Sequence, residues 1–313
     1  MHTLPRPHTP CGKAREGCFL TEEDYDTVIQ GRSSVVVDAK SGEIVAIFLH
    51  RAIPATACNL ARQVFGTIDE TTPPSTTRAT AAGVVDEAQV RKRFPQVAEL
   101  IPVGRPNANG DYCKVKFKRD DGRVMTDVYS NPVQSYKGGY NYYRFGGYGI
   151  KTGFTKTHPQ EWERSLPFFQ SIDAALREAL PEAHAYHDSV LPVEFRIPGT
   201  VLTSVAINCN YRSACHKDIG DLKKGWSTLT VVECGPYEGG LYVLPEYRVA
   251  MDVREGDVVF VRSHLQWHGN TAITGKGKRL SFVVFAKEAL CKARKPPDFP
   301  WGPHSKRKRK RKE

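Results

Sequence analysis

No apolar run in the 313 residues comes near the roughly eighteen that a membrane-spanning helix needs, so no such helix is expected within them. The first ten residues are broken by Pro5, Pro7 and Pro10 and contain no apolar core of the kind a secretory signal requires. Without export, the eight cysteines are expected to be reduced thiols. No two of them form a C-x-x-C pair, and Cys11 and Cys18 are too isolated to make a four-ligand zinc site. Cys209 and Cys215 read as small strand residues rather than ligands.

What the chain does have is 40% apolar residues and a strong positive charge, +11 formally. The apolar content suits one large domain with extensions, which we place at 21–295, between a disordered leader over 1–20 and a basic disordered tail over 296–313. Ser305 to Glu313 carries seven basic residues against one acid, and so +6 of the net charge. Such a block repels itself and buries nothing, but it can neutralise phosphates without reading sequence or act as a nuclear address in a eukaryotic host.

The secondary-structure signals are uneven along the chain. Ser34 to Asp38, a turn at Lys40 to Glu43, and Ile44 to Leu49 read as a hairpin, and Ala55 to Phe65 has helical spacing. Thr67 to Thr80 reads as a loop. A second hairpin is expected at Lys114 to Lys118 and Val124 to Val128, around Asp120-Asp121-Gly122. From Pro132 to Gly153, tyrosines and glycines interleave in a pattern that is neither helical nor regularly extended. That stretch suits either stacking on bases or packing on the protein itself. A helix with proline in its first turn then runs from Pro159 towards Leu180. Beyond Glu194 come only short strands, at Val201 to Asn208, Ser227 to Glu233, Gly240 to Leu244, Arg248 to Val253, Asp257 to Arg262 and Arg279 to Ala286. This is a mainly β (α+β) pattern, and strands of this length point to a jelly roll braced by helices.

The chemistry concentrates in three places: His216-Lys217-Asp218, Trp267-His268-Gly269 about fifty residues later, and Arg279-Leu280-Ser281. His-x-Asp plus a distant His is the ligand set of the two-histidine, one-carboxylate triad that holds non-haem Fe(II) with positions left open. Residues two apart on a strand share a face, as His216 and Asp218 must. His264 competes with His268 for the third ligand; His268 is favoured because Gly269 lets the backbone come close. Arg279 can grip a carboxylate bidentately and Ser281 can add a hydrogen bond, which suits the far end of 2-oxoglutarate. Asn208 and Asn210 approach the triad along a strand, and either can bond that co-substrate.

The block from Gly199 to about Lys287 resembles the ten-eleven translocation / J-binding protein family of 2-oxoglutarate- and Fe(II)-dependent DNA dioxygenases, and its compact phage, algal and fungal members in particular. The resemblance rests on Thr203 to Asn210, His216 to Leu222, Tyr237 to Gly240, Pro245 to Ala250 and the His268 and Arg279 segments. It continues more weakly upstream through Arg78 to Gly83, Asn131 to Ser135 and Gly153 to Thr155. It implies a double-stranded β-helix and hydroxylation of the C5-methyl of 5-methylcytosine in DNA, with the nucleotide flipped out of the duplex. It further implies that Asp221 meets the base edge and Phe285 stacks on the base. Lys287 stands where several relatives present a histidine, which keeps thymine as an alternative substrate.

One algal branch uses ascorbate in place of 2-oxoglutarate, which Arg279 and Ser281 argue against. A non-catalytic reader of modified DNA would be expected to have lost part of the triad, and a small-molecule cupin predicts neither the basic tail nor the aromatic stretch. The expected protein is therefore a monomeric intracellular enzyme, nuclear in a eukaryote or in the host cytoplasm if phage-encoded.

Overall fold

The computed structural model describes residues 1–125 and 127–296; the basic tail expected over 296–313 lies outside them but for residue 296. A nine-stranded sheet carries the molecule. From edge to edge its strands are His2–Arg6, Ser34–Asp38, Ile44–Leu49, Val258–Val261, Ser227–Cys234, Lys278–Phe285, Ser204–Cys209, Ser135–Tyr143 and Tyr148–Lys151. A four-stranded sheet of Gly269–Asn270, Tyr242–Leu244, Val249–Met251 and Thr27–Ile29 completes the mixed, mostly sheet architecture of a jelly-roll core. No helix among the described residues is long and apolar enough to cross a membrane.

Strand alternation decides what lines the interior. Along Lys278–Phe285, Leu280, Phe282 and Val284 pack with Phe65, Phe168, Phe169 and Ile172 of helices Ala55–Phe65 and Pro159–Ala179. The intervening Arg279, Ser281, Val283 and Phe285 therefore face the other way, and all four line one cavity. Its neighbour Ser204–Cys209 obeys the same rule, with Val205, Ile207 and Cys209 towards the helices and Ala206 and Asn208 towards the cavity. A second cluster, including Phe48, Leu229, Val231, Leu244, Val249, Met251 and Val259, glues the two sheets together.

Several expectations are met: the hairpin of Ser34–Asp38 and Ile44–Leu49, the helix Ala55–Phe65, the helix Pro159–Ala179 and the run of short strands after residue 200. Others are corrected. The first twenty residues are not a free leader. His2–Arg6 pairs in parallel with Ser34–Asp38, and Leu20 is completely buried. Pro5 is tolerated because this is an edge strand with one neighbour. Val115–Arg119 finds its main partner in Val97–Pro102, and the segment after Gly122 returns to it through isolated bridges only.

The tyrosine- and glycine-rich stretch is regular structure. It forms strands Ser135–Tyr143 and Tyr148–Lys151, the former paired along Ser204–Cys209. The glycines permit close packing: a Cβ on Gly138 would lie 2.4 Å from the Trp162 ring, and one on Gly139 would lie 2.4 Å from the Thr203 carbonyl oxygen. Tyr136 is buried and Tyr140 meets Phe195 edge-on, so these rings belong to the protein's own packing.

Candidate functional site

His216 and His268 are joined by reciprocal backbone hydrogen bonds, His216 N to His268 O at 2.9 Å and His268 N to His216 O at 3.0 Å. This bridge, rather than the regular strand expected around His216 and Asp218, brings the ligands together. Gly269 allows it: a Cβ there would lie 2.9 Å from the Ser213 carbonyl oxygen. The close approach anticipated at this glycine is thus to the 213–214 backbone. Each ring is then oriented by its Nδ1, which faces a backbone carbonyl, Ala214 at 2.8 Å for His216 and Gln266 at 3.0 Å for His268. With Nδ1–H donating, both Nε2 lone pairs are free and converge on Asp218, at 3.6 Å from Oδ1 and 3.5 Å from Oδ2.

The donor set fits a divalent ion. One ligand atom from each of His216, Asp218 and His268 lies within 4.8 Å of the others. Burial resists the charge on Asp218, yet the His216 and His268 imidazoles beside it hold its carboxyl well below the usual range. Burial likewise opposes a charge on His216, and the Asp218 carboxylate outweighs it to raise the imidazole. His264 stays outside the cluster, lowered by partial burial and by the Arg262 charge.

Arg279 is almost wholly buried, and its Nε has no partner among the described residues. Gly240, at φ +72°, makes room for it, since a Cβ there would sit 2.9 Å from the Arg279 Cδ. Burial lowers the guanidinium pKa, opposed first by Tyr237. A buried cation with an open Nε has the chemistry to pair with an anion. Ser281 stands beside it on the strand face, and the Asn208 amide donates to its hydroxyl at 3.4 Å.

Asn208 accepts in turn from the Ser135 hydroxyl, and Ser135 accepts from Arg78, so a polar string runs from Ser281 to Arg78. Asn210 is different. It lies past the strand end at φ +44°, where its left-handed backbone breaks the alternation, and its side chain serves Arg279 N and Gly277 O. It is exposed and does not line the cavity, which removes it from the co-substrate set.

The cavity holds about 310 Å³ and includes Asp221, Phe285 and Lys287 as expected. Asp221 Oδ2 accepts from Ser227 and Ser263, each at 2.7 Å. Burial, together with the Asp218 charge, nevertheless pushes its carboxyl up to about 8. Lys287 donates to Asn141 Oδ1 at 2.7 Å; burial lowers its ammonium while Asp221 opposes the shift.

Two further cations stand in the cavity beyond the site residues expected from the sequence. Arg78 lines the cavity with a buried, unpartnered Nε, and burial lowers its pKa against the charges of Tyr211 and Asp218. Lys137 reaches the same cavity from Ser135–Tyr143; desolvation, then the charges of Arg78 and Lys287, push it down to about 8. Arg78 sits in a motif segment but more than a hundred residues ahead of the triad, and no spacing rule connects the two.

Comparison with known proteins places this geometry. The Tet_JBP family model, described as the oxygenase domain of the 2OGFeDO superfamily, matches residues 135–288. Thymine dioxygenase JBP1 of Trypanosoma brucei brucei is 32% identical over 145 residues, covering 45% of this chain and 17% of that protein. The bifunctional helicase and thymine dioxygenase JBP2 of Trypanosoma brucei brucei (strain 927/4 GUTat10.1) is 27% identical over 290 residues, 90% of this chain and 22% of that one. The chain thus spans about a fifth of the length of these curated relatives. In fold it is similar to NgTET1 in complex with 5mC DNA, with a TM-score of 0.55 at 13% identity, covering 93% of this chain and 84% of that one. On these matches, residues 135–288 are similar to the Tet_JBP family, described as an oxygenase domain of the 2OGFeDO superfamily.

Proposed function

We propose that the chain is a DNA dioxygenase that hydroxylates the C5-methyl group of a pyrimidine flipped out of the duplex, using Fe(II), O2 and 2-oxoglutarate. The observation that carries this reading is the meeting, in one cavity, of the His216, Asp218 and His268 donor atoms with the buried guanidinium of Arg279, whose Nε has no partner among the described residues. His216, Asp218 and His268 would hold the iron, which with the 2-oxo acid and O2 supplies the oxidising power for C–H hydroxylation.

The remaining work belongs to the protein. Arg279 pairs with the distal carboxylate of 2-oxoglutarate, Ser281 and Asn208 orient it, and Arg78 offers a second anion partner at the other end of the polar string. Ascorbate has no carboxylate for Arg279, which favours 2-oxoglutarate. At the outer end, Phe285 offers a ring for stacking, and Asp221 and Lys287 bracket the base edge. A DNA substrate makes the site of action intracellular.

For 5-methylcytosine, Asp221 accepts from the exocyclic amine. Thymine is the second reading, favoured by a specific observation: Lys287 supplies a donor where thymine presents O4, and a carboxyl raised to about 8 can donate as well as accept. The JBP1 and JBP2 relatives carry thymine dioxygenase in their names. The test is incubation of the full chain with Fe(II), 2-oxoglutarate and duplexes containing either 5-methylcytosine or only thymine as the methylated base, followed by nucleoside mass spectrometry. Hydroxymethylcytosine or hydroxymethyluracil identifies the substrate; neither product on either duplex overturns the proposal.

A further inference from the structure

Between the metal-ligand candidate Asp218 and the base-edge candidate Asp221 the chain makes one tight turn, closed by Asp221 N to Asp218 O at 3.0 Å. Its corners are Ile219 and Gly220. The feet are fixed: Asp218 N donates to Ser263 O at 3.0 Å, Glu288 N donates to Gly220 O at 3.2 Å, and Asp221 bridges to Lys287. Yet Ile219 is 84% exposed, the largest exposure of any large apolar residue described.

Turn corners are ordinarily polar, proline or glycine, and a branched aliphatic side chain there gains nothing for folding. Single exposed aliphatic residues are common on protein surfaces, so exposure alone means little. Position is what separates Ile219 from Val193 or Val124: it sits on the rim of the candidate site's cavity, on a turn held at both feet by backbone pairing to Ser263, Lys287 and Glu288. Lys217 flanks it, its ammonium 5.0 Å from the Trp267 ring centroid, and Arg78, Lys137 and Lys287 line the same cavity, so the surroundings attract phosphates.

We propose that Ile219 is an apolar wedge that enters the base stack beside the flipped nucleotide and holds the gap open. The proposal rests on the DNA reading above and extends it to how the duplex is opened. Two residues span at most about 7 Å, roughly two base-stacking rises, so a side chain at the turn tip and a base edge at Asp221 lie within about two base steps of each other. Extrusion breaks stacking on both sides of the target, and an aliphatic side chain inserted there recovers part of that contact while excluding water. A rigid tip does this better than a mobile one, because no loop has to be ordered on binding.

The test uses the full chain with Fe(II) and 2-oxoglutarate under anaerobic conditions, so that binding is read without turnover. The probe is an oligonucleotide with 2-aminopurine beside the methylated pyrimidine, offered as duplex and as single strand. The parent protein should raise the fluorescence of the duplex. Ile219→Ala should lose that rise and bind the duplex about tenfold more weakly, while its single-strand affinity changes by less than about twofold, because a single strand has no duplex to open. Ile219→Leu should restore the duplex signal. Equal losses on duplex and single strand, or an Ile219→Ala protein that unstacks the duplex like the parent, would overturn the wedge. A parent protein that binds neither form of DNA would instead remove the DNA reading, and the wedge with it.

Discussion

Arg279 and Lys287 stand eight residues apart on the same strand and its extension, and both face the cavity, but they meet different surroundings. Around Arg279 the cavity is closed: Gly240 yields space, Asn210 fixes the backbone, and Ser281 and Asn208 form one end of a hydrogen-bonded string. Around Lys287 it opens: Ile219 is exposed and Asp221 holds a proton-prone carboxyl. On the proposed function, a deep end built this way would present one fixed charge to a small, invariant anion. A mouth built this way would accept a polymer and distinguish between bases with groups whose charge depends on what they face.

The triad lies between the two ends and should fail most completely. Asp218→Ala or His216→Ala should reduce turnover by about a thousandfold or more while circular dichroism stays unchanged, because the ion loses a ligand and the core loses no volume. Undiminished activity of either variant with excess iron would take this site out of consideration.

Acid should loosen the mouth. His187 is completely buried, accepts from Trp226 N at 3.2 Å next to Ser227, and burial pushes its imidazole down to about 4. Because the folded value lies below the unfolded one of roughly 6.5, its contribution is present above pH 6.5 and disappears as pH falls towards 4, at up to about 3 kcal/mol. Urea titrations across that range should show the loss, and a His187→Gln protein should show a flatter profile; equal slopes would argue that other groups set the acid response.

At the deep end, Arg279→Met keeps the volume and removes the charge. The 2-oxoglutarate requirement should rise about a hundredfold with DNA affinity unchanged. A rise in the DNA dissociation constant of similar size would blur the distinction between the two ends.

Asp221→Ala should give the smallest of these effects, altering the ratio of activity on 5-methylcytosine to that on thymine by about 1 to 3 kcal/mol, the value of one good base contact. Equal losses on both bases would make Asp221 a support for Ser227 and Ser263 and leave discrimination to Lys287.

The triad and the deep end are the legible parts. His216, Asp218, His268, Arg279 and Ser281 are read from residue type and spacing, because ligand chemistry restricts the residues and strand alternation restricts the spacing. Asn210 shows the limit, since alternation assigns it to the cavity and a positive φ at the strand end takes it away. Arg78 and Lys137 reach the mouth from elements far off in sequence, and only the pairing of Ser135–Tyr143 with Ser204–Cys209 delivers Lys137 there. The tyrosine- and glycine-rich stretch was misjudged because its glycines make room for Trp162 and Thr203, contacts that no local pattern records. The edge strand His2–Arg6 is hidden by Pro5, which a strand with one neighbour can carry.

Whether the two ends serve one reaction is decided by following both substrates together. In single-turnover reactions of the full chain with Fe(II), 2-oxoglutarate and DNA carrying a methylated pyrimidine, one succinate should form for each hydroxymethylated base. Arg279→Met should slow both at limiting 2-oxoglutarate, and Asp221→Ala should lower the base product relative to succinate. Succinate formation unaffected by DNA, with no modified nucleoside under any condition, would contradict a DNA base dioxygenase.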